Sequence, residues 1–169
     1  VGVGSVGTRC IVALMTAGEN DRLFLQMKEA GPSVLEAYAG RSTYPNHGQR
    51  VVNGYRLMQS ASDILLGWMK TRHGRHFYVR QLRDMKVGAP VERFGAGKMV
   101  EYADLCGWAL ARAHARSGTS AQISAYLGDS DAFDTAVAAF AQAYADQTER
   151  DHAVFKQAVR AGHLKAILE

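Results

Sequence analysis

Three glycines at the start of the chain have a spacing that is typical of nucleotide-binding loops. Gly2, Gly4 and Gly7 form the pattern G-x-G-x-x-G, with Ser5 between the second and third glycine. Glycine lets a backbone approach phosphate oxygens closely because it has no Cβ atom. Residues 8–15 are largely β-branched and apolar and predict a strand, whereas a dinucleotide-binding fingerprint requires a helix at this point. The sequence therefore argues against a dinucleotide site.

A lysine at the end of the next apolar segment indicates a different phosphate chemistry. Residues 23–27 are largely apolar, and Lys28 follows them. In kinase-like proteins a glycine-rich turn covers the nucleotide phosphates, and a strand lysine supplies a positive charge to them. A carboxylate from the helix after that strand orients the lysine. Glu36 is the candidate for this partner because it lies on the first predicted helix after Lys28.

Each of these features also has an ordinary structural interpretation. The glycines can form a tight hairpin turn that contacts no phosphate, Lys28 can be a solvated lysine at a strand end, and Glu36 can be a surface glutamate. Two arginines farther along, Arg112 and Arg116, share one helical face. They can line a phosphate cleft or form ion pairs with acids such as those at positions 129 and 131.

The elements that must position these residues divide into a strand-rich part and a helical part. Periodicity and turn chemistry predict a hairpin around the turn at residues 18–21, two helices, and a second hairpin. The predicted bounds are 9–16 and 22–29 for the first two strands, 33–39 and 49–61 for the helices, and 64–69 and 76–82 for the last two strands. On the longer helix we expect Val51, Tyr55 and Met58 to lie along one face.

The second half of the chain is predicted to be helical. Helices are expected from Met99 to Gly118, from Ser120 to Leu127, from Asp131 through an apolar stripe ending at Tyr144, and separately over 149–161. We therefore expect a small-lobe-like part at 1–86, a linker at 87–97 and a helical half at 98–169.

Composition narrows the class of protein. The chain has 169 residues, of which 47% are hydrophobic, and its net charge of +4 comes from scattered basic residues. No run of 18 apolar residues predicts a membrane span, and no signal peptide is evident, so a cytoplasmic location is expected. Cys10 and Cys106 are isolated, which predicts neither a disulfide nor a zinc site. The six histidines are dispersed, so no metal site is expected. The scattered charge does not itself indicate nucleic-acid binding, which stays open as a third alternative through the arginines Arg9, Arg80, Arg83, Arg112 and Arg116.

Six segments, in order along the chain, carry a resemblance to a known family. They are residues 1–10, 24–30, 46–52, 77–84, 107–118 and 144–147. Together they resemble the carboxy-terminal part of the bacterial domain of unknown function 2252 family, which is grouped with protein-kinase-like and aminoglycoside-phosphotransferase-like folds. The resemblance implies an α+β, protein-kinase-like fragment with a small antiparallel sheet, a packed helix and a helical half. In that family the catalytic-loop-like segment and the metal-binding aspartate precede the glycine turn.

The resemblance implies an uncharacterised bacterial protein with a kinase-like fold. In it, this chain would be the part of a phosphotransferase-like protein that binds ATP with Mg²⁺. The nucleotide-binding residues would be Gly2, Gly4, Ser5, Gly7, Lys28 and Glu36. The Mg²⁺ ligands are expected outside this chain, so the chain alone should be inactive. Asn53 stands where family members often have glutamate, which weakens the case for an ion pair from the longer helix. The alternative is a catalytically silent, pseudokinase-like or protein-interaction module.

The chain begins within the glycine motif and without methionine, so we expect it to be a fragment of a longer protein. The strand that would enter the glycine turn is then missing, which leaves an uncovered sheet edge. We therefore expect contact with the upstream segment of the same protein, or self-association.

Overall fold

The computed structural model describes residues 6–82 and 88–165. Over these residues the fold is α+β, with a four-stranded antiparallel sheet and five α-helices. The chain divides into two compact units, Val1–Ser120 (unit 1) and Ala121–Glu169 (unit 2). The strands are β1 (Cys10–Ala17), β2 (Asp21–Glu29), β3 (Gly67–Lys70) and β4 (His76–Gln81). The helices are α1 (Glu36–Ala39), α2 (His47–Met58), α3 (Ala96–Ser117), α4 (Ser120–Leu127) and α5 (Ala132–Arg160).

The sheet consists of two hairpins that pair side by side. Its strand order is β1-β2-β4-β3, and all three pairings are antiparallel. Gly18 and Gly74 have φ values of 71° and 79°, so each hairpin turns at a residue in the left-handed region that glycine tolerates best. Both predicted hairpins are therefore confirmed.

The predicted start of the third strand at residue 64 is wrong. The carboxylate of Asp63 accepts a hydrogen bond from the backbone N–H of Leu65 at 2.8 Å, and the Asp63 carbonyl accepts one from Leu66. An aspartate side chain that binds the backbone two residues later favours a turn over a strand. Strand β3 therefore begins only at Gly67.

Helix α2 packs on the sheet and starts earlier than predicted. Asn46 is its N-cap, and the Asn46 side chain accepts a hydrogen bond from the backbone N–H of Gln49 at 3.2 Å. The buried contact of this helix is Val52, whose side chain is fully buried. Met58 is exposed, and the helix ends there rather than at residue 61 as predicted.

Helix α3 belongs to unit 1 and packs on α2. It runs to Ser117, and the backbone N–H of Gly118 closes its last turn on the carbonyl of His114 at 2.8 Å. Ala113 is its buried residue. The predicted end of this helix is confirmed.

In unit 2, one long helix replaces the two that were predicted. Helix α5 runs without a break from Ala132 to Arg160. Residues 145–149 contain neither glycine nor proline, and the side chain of Gln147 hydrogen-bonds to both Arg150 and Asp151. Such pairs, three and four residues apart, stabilise a continuous helix. None of the helices in the described part of the chain is long and apolar enough to cross a membrane.

Candidate functional site

The glycine motif is described only at its last two residues, Val6 and Gly7. Gly2, Gly4 and Ser5 lie outside the described residues, so their predicted role stays a prediction. Gly7 forms part of an exposed turn with a φ of 77°. Only glycine adopts this conformation without a steric penalty.

The register of the first hairpin brings the end of this turn close to Lys28. Cys10, the first residue of β1, is opposite Lys28 of β2, and the backbone N–H of Glu29 donates to the carbonyl of Arg9 at 2.9 Å. Gly7 precedes Cys10 by three residues, so the Cα atoms of Gly7 and Cys10 are at most about 11 Å apart. The glycine turn and the lysine therefore lie at the same end of the sheet.

Lys28 lies on the face of the sheet that α2 covers. Side chains directly opposite one another in antiparallel strands share a face, and the neighbours of Lys28 are Cys10 and Tyr78. The ring of Tyr78 is 6.1 Å from the ring of Tyr55 on α2. Lys28 is half-buried, and no described residue forms an ion pair with it. Helix α2 contains no acidic residue that could do so.

A hydrogen-bonded row of polar side chains crosses the same face. The amide nitrogen of Gln26 is 3.6 Å from the sulfur of Cys10, and its amide oxygen accepts from Nε and Nη2 of Arg80 at 3.1 and 3.0 Å. Gln26 is two residues from Lys28 and therefore has the same orientation. The residue was not predicted, although the period of two along a strand puts it on the same face as Lys28.

Tyr78 contributes a neutral hydroxyl to this face. Burial raises the pKa of Tyr78 above its ordinary value, and the proximity of Tyr55 raises it further. The phenol therefore stays protonated at neutral pH. Tyr78 could have been placed beside Lys28 only with the strand register, which the sequence does not specify.

Glu29 lies on the opposite face of the sheet and forms ion pairs with two arginines there. Its carboxylate forms ion pairs with Arg75 at 3.0 Å and with Arg9 at 3.2 Å. These contacts, with the hydrogen bond from Arg75 as the largest cause, lower the pKa of Glu29. The acidic residue next to Lys28 in sequence is therefore not its partner.

Glu36 is not joined to Lys28 by an ion pair in the structure. It begins the four-residue helix α1, and its carboxylate is 3.4 Å from the backbone N–H of Ser33, which donates to it. This contact is local to the loop between β2 and α2. A role for Glu36 in nucleotide binding stays a prediction.

Two histidines meet where α2 begins. The backbone N–H of His47 donates to Nδ1 of His76 at 3.2 Å, and the two rings are 5.1 Å apart. Burial lowers the pKa of His76, and the nearby His47 and Lys70 lower it further. No group of three or more histidine, cysteine or acidic side chains that could hold a metal ion occurs within 6–82 and 88–165.

Arg112 and Arg116 of α3 line a cleft in unit 1 whose lining does not include Lys28. Nη1 of Arg116 donates to the carbonyl of Met58 at 3.3 Å, and the guanidinium of Arg112 lies 4.7 Å from the centre of the Trp108 ring. Both arginines line an open cleft with Met58, the last residue of α2, and with residues 59–61, which follow it. Within the described part of unit 1, neither arginine forms an ion pair.

Comparison with known proteins identifies a family but no characterised relative. No curated protein and no solved structure matches the chain. A family model described as an uncharacterized protein conserved in bacteria, domain of unknown function 2252, matches residues 1–158. Because this match covers most of the chain, the protein belongs to the domain of unknown function 2252 family.

Proposed function

We propose that unit 1 binds the phosphates of ATP or a related nucleotide, with Mg²⁺, as part of a kinase-like phosphotransferase. In this proposal the glycine turn, with Gly2, Gly4, Ser5 and Gly7, covers the phosphates, and Lys28 supplies the cation that neutralises them. Glu36 is a further candidate contact. The family match leaves the activity open, so the proposal rests on the geometry around Lys28.

The observation that carries the proposal is the pairing of Cys10 with Lys28. It puts a lysine beside the strand that leaves the glycine turn, at the same end of the sheet. A loop that exposes backbone N–H groups and an adjacent lysine form a typical phosphate site. A lysine at the start of β2, where Asp21 pairs with Ala17, would lie at the far end of the hairpin from this turn.

The surroundings of Lys28 also favour a bound anion. Lys28 is half-buried as a residue, and wherever an ammonium group loses hydration a partner of opposite charge offsets that cost. Among the described residues no carboxylate fills this role, and Glu29 is held on the other face by two arginines. A phosphate oxygen would supply the missing negative charge.

The order of elements gives further support. Two strands, a helix packed on the sheet and two more strands follow one another in unit 1. A strand lysine next to a packed helix is the arrangement that kinases use to hold nucleotide phosphates. The absence of an acid in α2 is the main departure. We expect the hydroxyl of Tyr78 and the ligand itself to orient Lys28 instead.

Isothermal titration with Mg²⁺-ATP tests the proposal. Lys28→Ala should abolish measurable binding, whereas Lys70→Ala should leave it unchanged. Lys70 is a matched control because it is an exposed lysine at the opposite edge of the same sheet, paired with His76. Equal affinity in the Lys28 and Lys70 variants, both folded, would refute the phosphate role of Lys28.

A second candidate function, protein interaction, is favoured by the apolar face of α5. Phe133, Val137, Phe140 and Tyr144 follow the alternating four- and three-residue spacing of a coiled-coil seam. Phe140 is 65% exposed and Tyr144 is 60% exposed. The same apolar stripe on a second copy of the chain would match this spacing. We therefore propose that the chain self-associates through α5. The alternative is that an upstream segment of the same protein covers this face.

Sedimentation velocity distinguishes a second copy of the chain from an upstream segment as the partner of α5. The chain alone should form a dimer, and Phe140→Glu should make it monomeric. Gln142→Glu is the matched control, because it adds the same charge on the other side of the helix. A chain that is monomeric over the micromolar range would contradict self-association.

A further inference from the structure

The cleft between α2 and α3 has the composition of a second anion site, independent of Lys28. Its lining includes Arg112, Arg116 and Trp108 from α3, together with the last residue of α2 and the three residues after it, 58–61. No acidic side chain lines it. Its volume of about 330 Å³ is in the lower range of small-molecule sites, which is about 300–1,000 Å³.

Arg112 and Arg116 both contribute positive charge to this cleft. Residues four apart on a helix have Cβ atoms about 5–6 Å from each other, so Arg112 and Arg116 project from the same face in successive turns. Each guanidinium carries five N–H donors in a planar fork that matches phosphate oxygens. Arg116 uses one nitrogen for the carbonyl of Met58, which leaves its other donors for a ligand.

The neighbouring groups hold these arginines in position. The bond from Arg116 to Met58 fixes one guanidinium at the carboxyl end of α2, where unpaired carbonyls attract cations. The ring of Trp108 supports the guanidinium of Arg112 at 4.7 Å through a cation–π contact. An arginine that is already ordered loses less entropy when it binds a ligand.

We propose that this cleft binds the phosphate group of a phosphorylated small molecule through Arg112 and Arg116. A terminal phosphate has three acceptor oxygens, so it can accept two hydrogen bonds from one guanidinium group and still offer an oxygen to the other. A carboxylate has only two oxygens. The exposed indole of Trp108, which is 58% exposed, gives the remainder of the ligand an apolar surface. The site does not depend on the nucleotide site proposed at Lys28.

Trp108 also supplies a specific readout. The chain has two tryptophans, so a Trp68→Phe protein reports Trp108 alone by its fluorescence. Pyrophosphate titrated into this protein should change the emission of Trp108 and reach saturation. The same titration with succinate, a dianion whose charges are carboxylates, should give binding at least tenfold weaker.

Variants locate the binding site. Arg112→Gln, which leaves the bond between Arg116 and Met58 in place, should weaken pyrophosphate binding about tenfold or more, since it removes charge-assisted hydrogen bonds. Arg22→Gln is the matched control, because it removes one exposed arginine of β2 and the same charge. Arg112→Lys should restore part of the affinity, and thermal melting of each variant checks that it folds.

The possible outcomes are distinct. Loss of affinity in Arg112→Gln, with normal binding in Arg22→Gln and Lys28→Ala, supports the proposal. Equal weakening in Arg112→Gln and Arg22→Gln would overturn it, since the effect would then be one of net charge. Loss in Lys28→Ala alone, equal binding of succinate, or absence of saturation would each overturn it as well.

Discussion

Lys28 and Glu29 are consecutive residues of β2 whose side chains lie on different faces of the sheet, and of the two only Glu29 forms ion pairs with described residues. Glu29 forms ion pairs with Arg9 and Arg75, whereas Lys28 lies beside Cys10 and Tyr78 and has no acidic partner among the described residues. The alternation of side chains along a strand produces this separation. One residue stabilises the sheet, and its neighbour is left available for a ligand.

Glu29 should make the fold sensitive to strong acid. Its pKa is lowered in the folded protein, so its contribution to stability is complete above its ordinary value of 4.5 and is lost as pH falls through the lower, folded value. Glu29→Gln should therefore lower the urea midpoint at pH 7, and this difference should shrink as pH falls below 4.5. Urea titrations at several pH values measure it.

The control for this prediction is Glu19→Gln, which changes an exposed glutamate in the turn between β1 and β2. It should shift the urea midpoint little at any of these pH values. A constant difference between the Glu29 variant and the unmodified protein down to pH 3 would show that the two ion pairs do not stabilise the charged carboxylate.

His76 should make the fold less stable in mildly acidic solution. Its Nδ1 accepts the backbone N–H of His47, and this requires an unprotonated nitrogen. Because its folded pKa is below 6.5, the contribution of neutral His76 is complete above pH 6.5 and is lost as pH falls through the folded value. An NMR titration of the imidazole should therefore give a pKa below 6.5.

His76→Gln should weaken the dependence of stability on pH between 7 and 5, since a glutamine oxygen can accept the same N–H without titrating. His152→Gln, which changes an exposed histidine of α5, is the matched control and should not weaken it. A titration of His76 at or above pH 6.5 would contradict the burial and contacts described for it.

Two glycines of α2 should respond in opposite ways to alanine. A Cβ atom at Gly48 would overlap the backbone carbonyl of Phe77, whereas nothing lies within 4 Å of a Cβ at Gly54. Gly48→Ala should thus destabilise the protein by about 1–3 kcal/mol. Gly54→Ala should stabilise it by about 0.5–1 kcal/mol, because alanine favours a helix. Denaturant unfolding of both variants checks the packing of α2 on β4, and similar effects would contradict it.

Much of the fold was predictable from local sequence, and the errors have local causes. The hairpins follow from turn glycines between β-branched segments, and α4 has the bounds that the sequence predicts. The start of α2 was missed because the capping role of Asn46 was not recognised, and β3 was extended too far because Asp63 binds its own turn. The break predicted within α5 is wrong. The residues after Tyr144 are mostly polar, but polar residues do not end a helix when their side chains form hydrogen bonds with one another.

The site was predictable only in part. Lys28 could be singled out because it follows an apolar strand, and its position relative to Gly7 follows from the hairpin. Its neighbour Tyr78 depends on pairing between distant strands, and the contact of Tyr78 with Tyr55 depends on the packing of α2; no local pattern encodes either. The partners of Glu29 were missed for the same reason, since Arg75 is far from it in sequence.

The most direct measurement asks whether a bound nucleotide phosphate lies next to Lys28. An ATP derivative with an acyl group on its γ-phosphate can acylate a nearby lysine: Nζ forms an amide with the acyl carbon, the carbon–oxygen bond to phosphate breaks, and ATP leaves as a proton is released. Peptide mass spectrometry then gives the extent of acylation at each lysine, with and without excess ATP. We predict that Lys28 is acylated, that excess ATP suppresses this, and that Lys70 and Lys98 react little and without protection. Acylation of all three lysines to the same extent, unaffected by ATP, would contradict a nucleotide site at Lys28.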